Sequence, residues 1–218
     1  TATRSIVDAL TKAIVEHRLH PGTKLAEQKL ADHFGVSRTL IRQALFQLVQ
    51  KRLIRMEPAR GAFVATPSSD EARQVFAVRR MIEIEMTRSF VRNVTPAQIK
   101  ALKEHVAEEK AAVLRGDVAG RTDLLGDFHV RMAELMGNDV LAQILGELIS
   151  RCALITLMYQ SSNAAEHSAE EHAEILKAIV AKDEELAVKL MDDHLRNVEE
   201  GLALDRKVPS NDIAMALS

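Results

Sequence analysis

The stretch LAEQKLADHFGVSRTLIRQALFQLVQKRLIRMEPARGAFV, residues 25–64, decides how the N-terminal part of this chain folds. Leu25, Leu30 and Phe34 predict the inward side of a short helix, and Gly35 predicts the tight turn that ends it. Ser37 is a good N-cap for a second helix, because its hydroxyl can accept a hydrogen bond from a free backbone N–H. The apolar residues of that second helix recur at helical spacing: Leu40, Ile41, Ala44, Leu45, Leu48 and Val49.

The opposite side of the second predicted helix is polar. It carries long or hydroxylated donors: Arg38, Thr39, Arg42 and Gln43. Such donors suit phosphates and base edges, and the positive end of the helix dipole adds to their attraction for anions. Residues 53–56 and 62–64 then predict two short strands joined by a turn that contains Arg60 and Gly61. Glycine at that position lets the backbone approach a groove closely.

This order of elements predicts a winged helix-turn-helix, a fold that places its second helix in the major groove of DNA. The charge distribution agrees, with 11 Lys/Arg against 5 Asp/Glu up to residue 66 and 18 against 26 after it. A basic head on an acidic body is typical of a DNA-binding module joined to a domain that does not bind DNA. The alternative interpretation is a small helical domain with an exposed basic face.

Composition bounds the rest of the chain. Its 218 residues, 47% of them hydrophobic, suffice for two modest domains or one large one. The single cysteine, Cys152, excludes a disulfide framework within the chain and fits a reducing compartment. The sequence shows neither a signal-peptide pattern nor a run of 18 apolar residues, so we expect a cytoplasmic protein without a membrane partner.

The expected fold class is mainly α. We expect a winged helix-turn-helix over residues 1–66, a hinge over 67–70, an antiparallel bundle of about six helices over 71–205, and a mobile tail over 206–218. The last bundle helix is predicted from about 184 to 204. Capping residues predict where the other bundle helices begin: Ser68 with Glu71, Thr95 with Gln98, Asn138, and Ser168 with Glu171.

Several segments resemble one family. PGTKLAEQKLADHFGVSRTLIRQAL (21–45) and RGAFV (60–64) are similar to the DNA-binding head of GntR-type bacterial transcription regulators. DFHVRMAELMGN (127–138), EEHAEILKAIVAKD (170–183) and MDDHLRN (191–197) resemble the all-helical FCD ligand-binding domain of the FadR subgroup. The resemblance implies a homodimer whose two heads bind a palindromic double-stranded operator, with a small effector in the bundle that controls this binding.

The resemblance also assigns roles to single residues of the head. Arg38, Arg42 and Gly61 match DNA-contacting positions of the family, while Ser37 and Thr39 fit phosphate contacts. Gln28 stands where some relatives have an arginine, Gln43 where many have glutamate, and Leu40 where many have proline. We therefore expect the DNA-binding residues to be Gln28, Ser37, Arg38, Thr39, Arg42, Gln43, Arg60 and Gly61.

Three histidines carry the chemistry expected of the second domain. His129, His172 and His194 lie on three different predicted helices, and their contexts resemble a three-histidine metal site of the family. Neutral imidazoles suit a divalent ion such as zinc or nickel, and an incomplete ligand shell leaves room for an anion. Relatives usually add an aspartate at the position of Leu125. The site is therefore either a bare three-histidine one or empty, and His167 is an unsupported further candidate.

Arg79 is the candidate effector-binding residue. It shares a predicted helix face with Val75, Ile82 and Met86, which turns its charge toward the interior, where a carboxylate effector would neutralise it. The alternative is an ion pair with Glu83, one helical turn away. The acidic clusters at 108–109 and 183–185 are expected to be solvated.

Three function classes fit these observations. The leading one is a transcription regulator, in particular a repressor, that responds to a small carboxylate effector. The second is a metal-dependent hydrolase, because three histidines with an open position also describe a hydrolytic zinc site. It would leave the basic head unexplained, and no general base is evident beside the histidines, so we do not expect an enzyme. The third is an architectural DNA-binding protein without an effector.

Overall fold

The computed structural model describes residues 2–115, 118–159 and 164–204, with side chains of the sixth and eighth helices described from residues 127 and 167 onward. The head contains α1 (Ala2–Val15), β1 (Lys24–Leu25), α2 (Glu27–Phe34), α3 (Arg38–Gln50), β2 (Ile54–Glu57) and β3 (Gly61–Val64). The bundle contains α4 (Ser69–Asn93), α5 (Pro96–Leu114), α6 (Val118–Leu135), α7 (Asp139–Tyr159), α8 (Ala164–Val180) and α9 (Glu184–Glu200). The expected mainly helical class, with a winged head before a helical bundle, is confirmed.

The helix-turn-helix forms where the sequence predicts it. Gly35 ends α2 in the left-handed conformation, with φ at 64°, and Ser37 caps α3 by accepting a hydrogen bond from the Leu40 N–H at 3.4 Å. The buried side of α3 holds Ile41, Ala44, Leu45 and Leu48. The polar side therefore remains free to face a ligand.

The wing contains one strand more than expected. Leu25 does not belong to a helix but to β1, which pairs antiparallel with β3 and places Lys24 opposite Phe63. The strand order is β1-β3-β2. Gly22, with φ at 78°, turns the chain there, and its N–H donates to the Val64 carbonyl. The prediction was wrong because a two-residue strand has no periodicity of its own and forms only against a distant partner.

Helix α1 completes the core of the head and joins it to the bundle. Its buried residues pack against α3 and the wing: Ile6, Val7, Leu10 and Ile14. Leu154, from α7 of the bundle, belongs to the same buried cluster. The Tyr159 hydroxyl at the end of α7 also donates to the Pro67 carbonyl at 3.0 Å, just before α4. The two parts of the molecule therefore share a packed contact.

Caps define most of the bundle helices as expected. Ser68 accepts from the Glu71 N–H at 3.1 Å, Thr95 and Gln98 form a complete capping box, and Asn138 accepts from the Leu141 N–H. The predicted start of the fifth bundle helix was wrong. Helix α8 begins at Ala164, so Ser168 and Glu171 lie inside it rather than at its cap. The last bundle helix, α9, ends at Glu200 instead of 204, and the predicted tail at 206–218 lies outside the described residues.

Helix α7 is apolar along much of its length. In the described ranges it alone has the length and mean hydropathy, 1.6, that a membrane span requires. Core helices of folded domains meet the same criterion. Here α7 contributes Leu145 to one buried cluster, Leu154 to a second and Ile155 to a third, which is the packing of a core helix.

Candidate functional site

Three histidines from different helices meet inside the bundle. His129 on α6, His172 on α8 and His194 on α9 are each at most 3% exposed. The Nε2 atom of His194 lies 3.2 Å from Nε2 of His172 and 3.4 Å from Nε2 of His129. The candidate ligand atoms of all three lie within 4.8 Å of one another. The structure therefore brings together the three residues that the sequence singled out.

Each histidine has a glutamate carboxylate next to its Nδ1 atom, a contact that the sequence did not predict. The Nδ1 atoms of His172 and His194 lie 3.0 Å from Glu109 and 2.7 Å from Glu171, respectively. Nδ1 of His129 lies 2.5 Å from Glu83 Oε2, a close contact without hydrogen-bond alignment. The expectation that Glu109 is solvated was wrong, because its side chain is fully buried. Helical periodicity could have found it, because Glu109 shares the buried side of α5 with Leu102, Val106 and Ala112, whereas Glu108 does not.

Burial keeps His129 and His194 neutral. Desolvation lowers the pKa of His129 to about 3 and that of His194 to about 4. Burial opposes ionisation of Glu83, but Arg79 and then His129 outweigh it and lower the pKa of this carboxyl to about 2. An ionised carboxylate beside Nδ1 favours the tautomer with its proton on that atom. The three Nε2 lone pairs are then directed toward one another.

That arrangement suits a metal ion. Three facing lone pairs repel, whereas a cation between them would accept all three. Zinc binds imidazole nitrogen at about 2.0–2.1 Å in tetrahedral geometry, which separates its ligand nitrogens by about 3.4 Å. The two Nε2 separations at His194, 3.2 and 3.4 Å, agree with that spacing. The donor set therefore fits zinc or another borderline divalent ion.

Arg79 lies beside this centre in a buried position. It is 4% exposed, and its Nε donates to Glu83 Oε1 at 2.6 Å, so the ion pair weighed from the sequence is present. Its Nη1 lies 3.5 Å from Sγ of Cys152, whose thiol pKa is raised by burial. Its Nη2 is buried without a hydrogen-bond partner among the described residues. Glu83 thus connects Arg79 to His129. The Nη2 of Arg79 is the guanidinium nitrogen that has no acceptor in the described ranges.

The further candidate for the metal site, His167, is exposed on α8. Asp127, two residues before His129, is exposed on α6. Leu125 and Asp123 are in α6, but their side chains lie outside the described residues.

The polar residues of α3 lie together on the surface of the head. Every expected DNA-binding residue is exposed: Gln28, Ser37, Arg38, Thr39, Arg42, Gln43, Arg60 and Gly61. Glu27, at the start of α2, accepts hydrogen bonds from Arg42 and from Arg38. On the wing, the cations of Lys24, Arg55 and Arg60 lie 5.3–5.9 Å from the centre of the Phe63 ring.

A winged helix-turn-helix head joined to a helical bundle defines a class of DNA-binding proteins. Two family models match the chain. The model described as "Bacterial regulatory proteins, gntR family" matches residues 2–64, and the model of the FCD domain matches residues 74–197. The chain belongs to the GntR family of transcription regulators, in the FadR-like subgroup with an FCD domain.

Named relatives agree with this assignment. The chain is 23% identical to the HTH-type transcriptional repressor RspR of Escherichia coli over 95% of this chain and 92% of that protein. It is 26% identical to the HTH-type transcriptional regulator LutR of Bacillus subtilis over 85% of this chain and 94% of that protein. These relatives and the matched gntR family are transcription regulators, so the chain is a DNA-binding transcription regulator rather than an enzyme.

Solved structures share the fold. A GntR protein from Rhodococcus sp. RHA1 superimposes with a TM-score of 0.81 at 22% identity, over 91% of this chain and 95% of that chain. Escherichia coli McbR/YncC superimposes with a TM-score of 0.79 at 22% identity, over 90% and 94%.

Proposed function

We propose that the protein is a cytoplasmic homodimeric repressor whose grip on a palindromic operator is controlled by a small carboxylate bound at the histidine centre. The observation that carries the proposal is the buried Nη2 of Arg79, which has no hydrogen-bond partner in the described part of the chain, near three converging imidazoles. A buried guanidinium donor without a partner costs free energy, and an anionic ligand would remove that cost.

The proposed metal ligands are the Nε2 atoms of His129, His172 and His194. A divalent ion held there supplies a Lewis-acidic positive charge that attracts a carboxylate. Glu83, Glu109 and Glu171 orient the imidazoles and keep their Nε2 atoms free for the ion. The proposed role of Arg79 is to bind the same carboxylate through Nη2, which selects for ligands with an acid group.

Helix α7 is the proposed connection between the effector site and the head. Cys152 on this helix contacts Arg79, and Leu154, two residues on, packs in the core of the head. A ligand that moves Arg79 therefore acts on an element whose next turn touches α1. In a dimer, a small displacement of each head changes the spacing of the two recognition helices, which must match half-sites about one helical turn apart.

The DNA half of the proposal is tested by operator binding. We expect Arg42→Ala to reduce affinity for the duplex upstream of the protein's own gene by about 10-fold or more, because one good base contact contributes about 1–3 kcal/mol. Arg18→Ala removes the same charge from the head outside α3 and serves as the control. Undiminished operator binding by the Arg42 variant would refute the proposed placement of the recognition helix.

The effector half is tested with metal and ligand together. Zinc added to chelator-treated protein should be retained by wild type and by His167→Ala, but not by His172→Ala, as measured by calorimetry and elemental analysis. A panel of carboxylates should then release zinc-loaded wild type from DNA, and Arg79→Lys should respond more weakly because it lacks the planar fork. If no metal or carboxylate changes DNA binding or thermal stability, the protein is an architectural DNA binder instead.

A further inference from the structure

Glu27 lies between the two arginines of the proposed recognition helix, α3. Its Oε1 and Oε2 accept from Arg42 Nε at 2.9 and 2.8 Å, and its Oε2 also accepts from Arg38 Nη2 at 3.1 Å. The arginine side chains are 55% and 64% exposed, whereas the Glu27 side chain is 21% exposed. One carboxylate thus binds two guanidinium groups from beneath the exposed face.

The contact joins the two helices of the helix-turn-helix. Glu27 is the first residue of α2, and Arg38 is the first residue of α3, with Arg42 one turn further on. Arg42 uses only its Nε for the carboxylate, so its two terminal nitrogens have no partner among the described residues. Those nitrogens form the edge with which an arginine contacts guanine O6 and N7.

Two physical consequences follow. A guanidinium fixed at one edge loses less conformational entropy when the other edge binds a base. A carboxylate between two cations also reduces the local positive charge, which weakens attraction to phosphates of any sequence. The first effect favours the specific complex, and the second disfavours the non-specific one.

We infer that Glu27 is a specificity-determining positioning residue. It orients Arg38 and Arg42 toward base edges and prevents them from making non-specific phosphate contacts. The inference rests on the proposed DNA-contacting role of these arginines. Glu27 itself need not touch DNA. It acts through the two side chains that it holds.

The test compares Glu27→Gln with Asp8→Asn. Both variants remove one negative charge from the head, but Asp8 is exposed on α1 and pairs with Arg4, outside the expected DNA-binding residues. The DNA probes are the duplex that wild type selects from a random library and a shuffled duplex of equal length, titrated over a salt series. Thermal denaturation verifies that both variants are folded.

For Glu27→Gln we expect tighter binding to shuffled DNA and a salt dependence steeper by about one unit for each arginine that gains a phosphate contact. Its preference for the selected duplex should fall by about 10-fold, the lower end of one bidentate base contact. Asp8→Asn should leave both quantities close to wild type. A merely structural role for Glu27 would lower stability without changing the salt dependence.

Two results would overturn the inference: a Glu27→Gln variant with unchanged salt dependence and preference, or an Asp8→Asn variant that changes both equally. The latter would mean that net charge alone is responsible. If wild type selects no consensus from the library, the proposed operator function fails. The salt dependence on shuffled DNA then decides the inference separately.

Discussion

Arginine–glutamate clusters occur in both parts of the molecule, in opposite environments. In the bundle, Arg79 and Glu83 are at most 4% exposed and reach His129. In the head, Arg38 and Arg42 meet Glu27 on the surface. Water screens the surface cluster and leaves its arginines available to DNA, whereas the buried cluster must satisfy its charges internally. In the proposed function, the same pair of residue types therefore serves DNA recognition in the head and ligand binding in the bundle.

The largest effect should come from breaking the buried cluster. Glu83→Ala leaves the Arg79 charge without its partner, which costs about 3–5 kcal/mol for a buried pair. A chain of this size loses about 2–4 °C per kcal/mol, so the thermal midpoint of metal-free protein should fall by about 6–20 °C. Differential scanning calorimetry in chelator measures it.

The control is Glu85→Ala on the same helix, whose side chain is 72% exposed and pairs with Arg88. It should leave the midpoint close to wild type. If the Glu83 and Glu85 variants were equally stable, the difference drawn between buried and exposed pairs would be wrong.

A smaller effect, on zinc affinity, is expected from the glutamates that contact the Nδ1 atoms of the proposed metal ligands. Glu109→Gln should lower zinc affinity by about 10–100-fold, the usual cost of losing a carboxylate that orients a histidine ligand. Glu108→Gln, at the exposed neighbouring position, should leave zinc affinity unchanged. Competition with a coloured chelator measures both variants, and equal affinities would remove the proposed role of Glu109.

Acid should weaken the bundle gradually. The folded-state pKa values of His129 and His194, about 3 and about 4, lie below the ordinary value of 6.5. Below pH 6.5 the unfolded chain therefore binds protons that these buried imidazoles reject, and stability falls as pH falls. Glu83, with its pKa lowered to about 2, adds to this loss below its ordinary value of 4.5.

The measurement is urea unfolding of metal-free protein between pH 7.5 and pH 4. The free energy of unfolding should be greatest above pH 6.5 and decline toward pH 4. A flat profile would contradict the view that the histidines are buried in the neutral form.

The smallest effect on stability should come from the exposed arginine–glutamate cluster of the head. Glu27→Gln should shift the thermal midpoint by about 2 °C or less, because exposed ion pairs contribute little to stability. Its influence on DNA specificity would then be separate from folding. A large loss of stability would make the cluster on the head structural, like the one in the bundle.

Much of the fold could be predicted from local patterns. The Ser37 cap, the Gly35 turn, the apolar side of α3 and the Thr95 capping box all depend on residues within a few positions of one another. Strand β1 and the start of α8 could not be predicted in this way. The first depends on a partner almost forty residues away, and the second has no cap at the predicted position.

The candidate site, too, could be predicted only in part from local patterns. The sequence by itself determined a basic recognition helix with its donors on one face, because a helix of known phase fixes which side chains share a side. It also singled out three histidines and Arg79. Only the tertiary structure decided that the three Nε2 atoms converge, that Glu109 meets His172, and that Glu27 binds both arginines. The reason is physical: periodicity orients a residue on its own helix, whereas packing between helices decides which residue it meets.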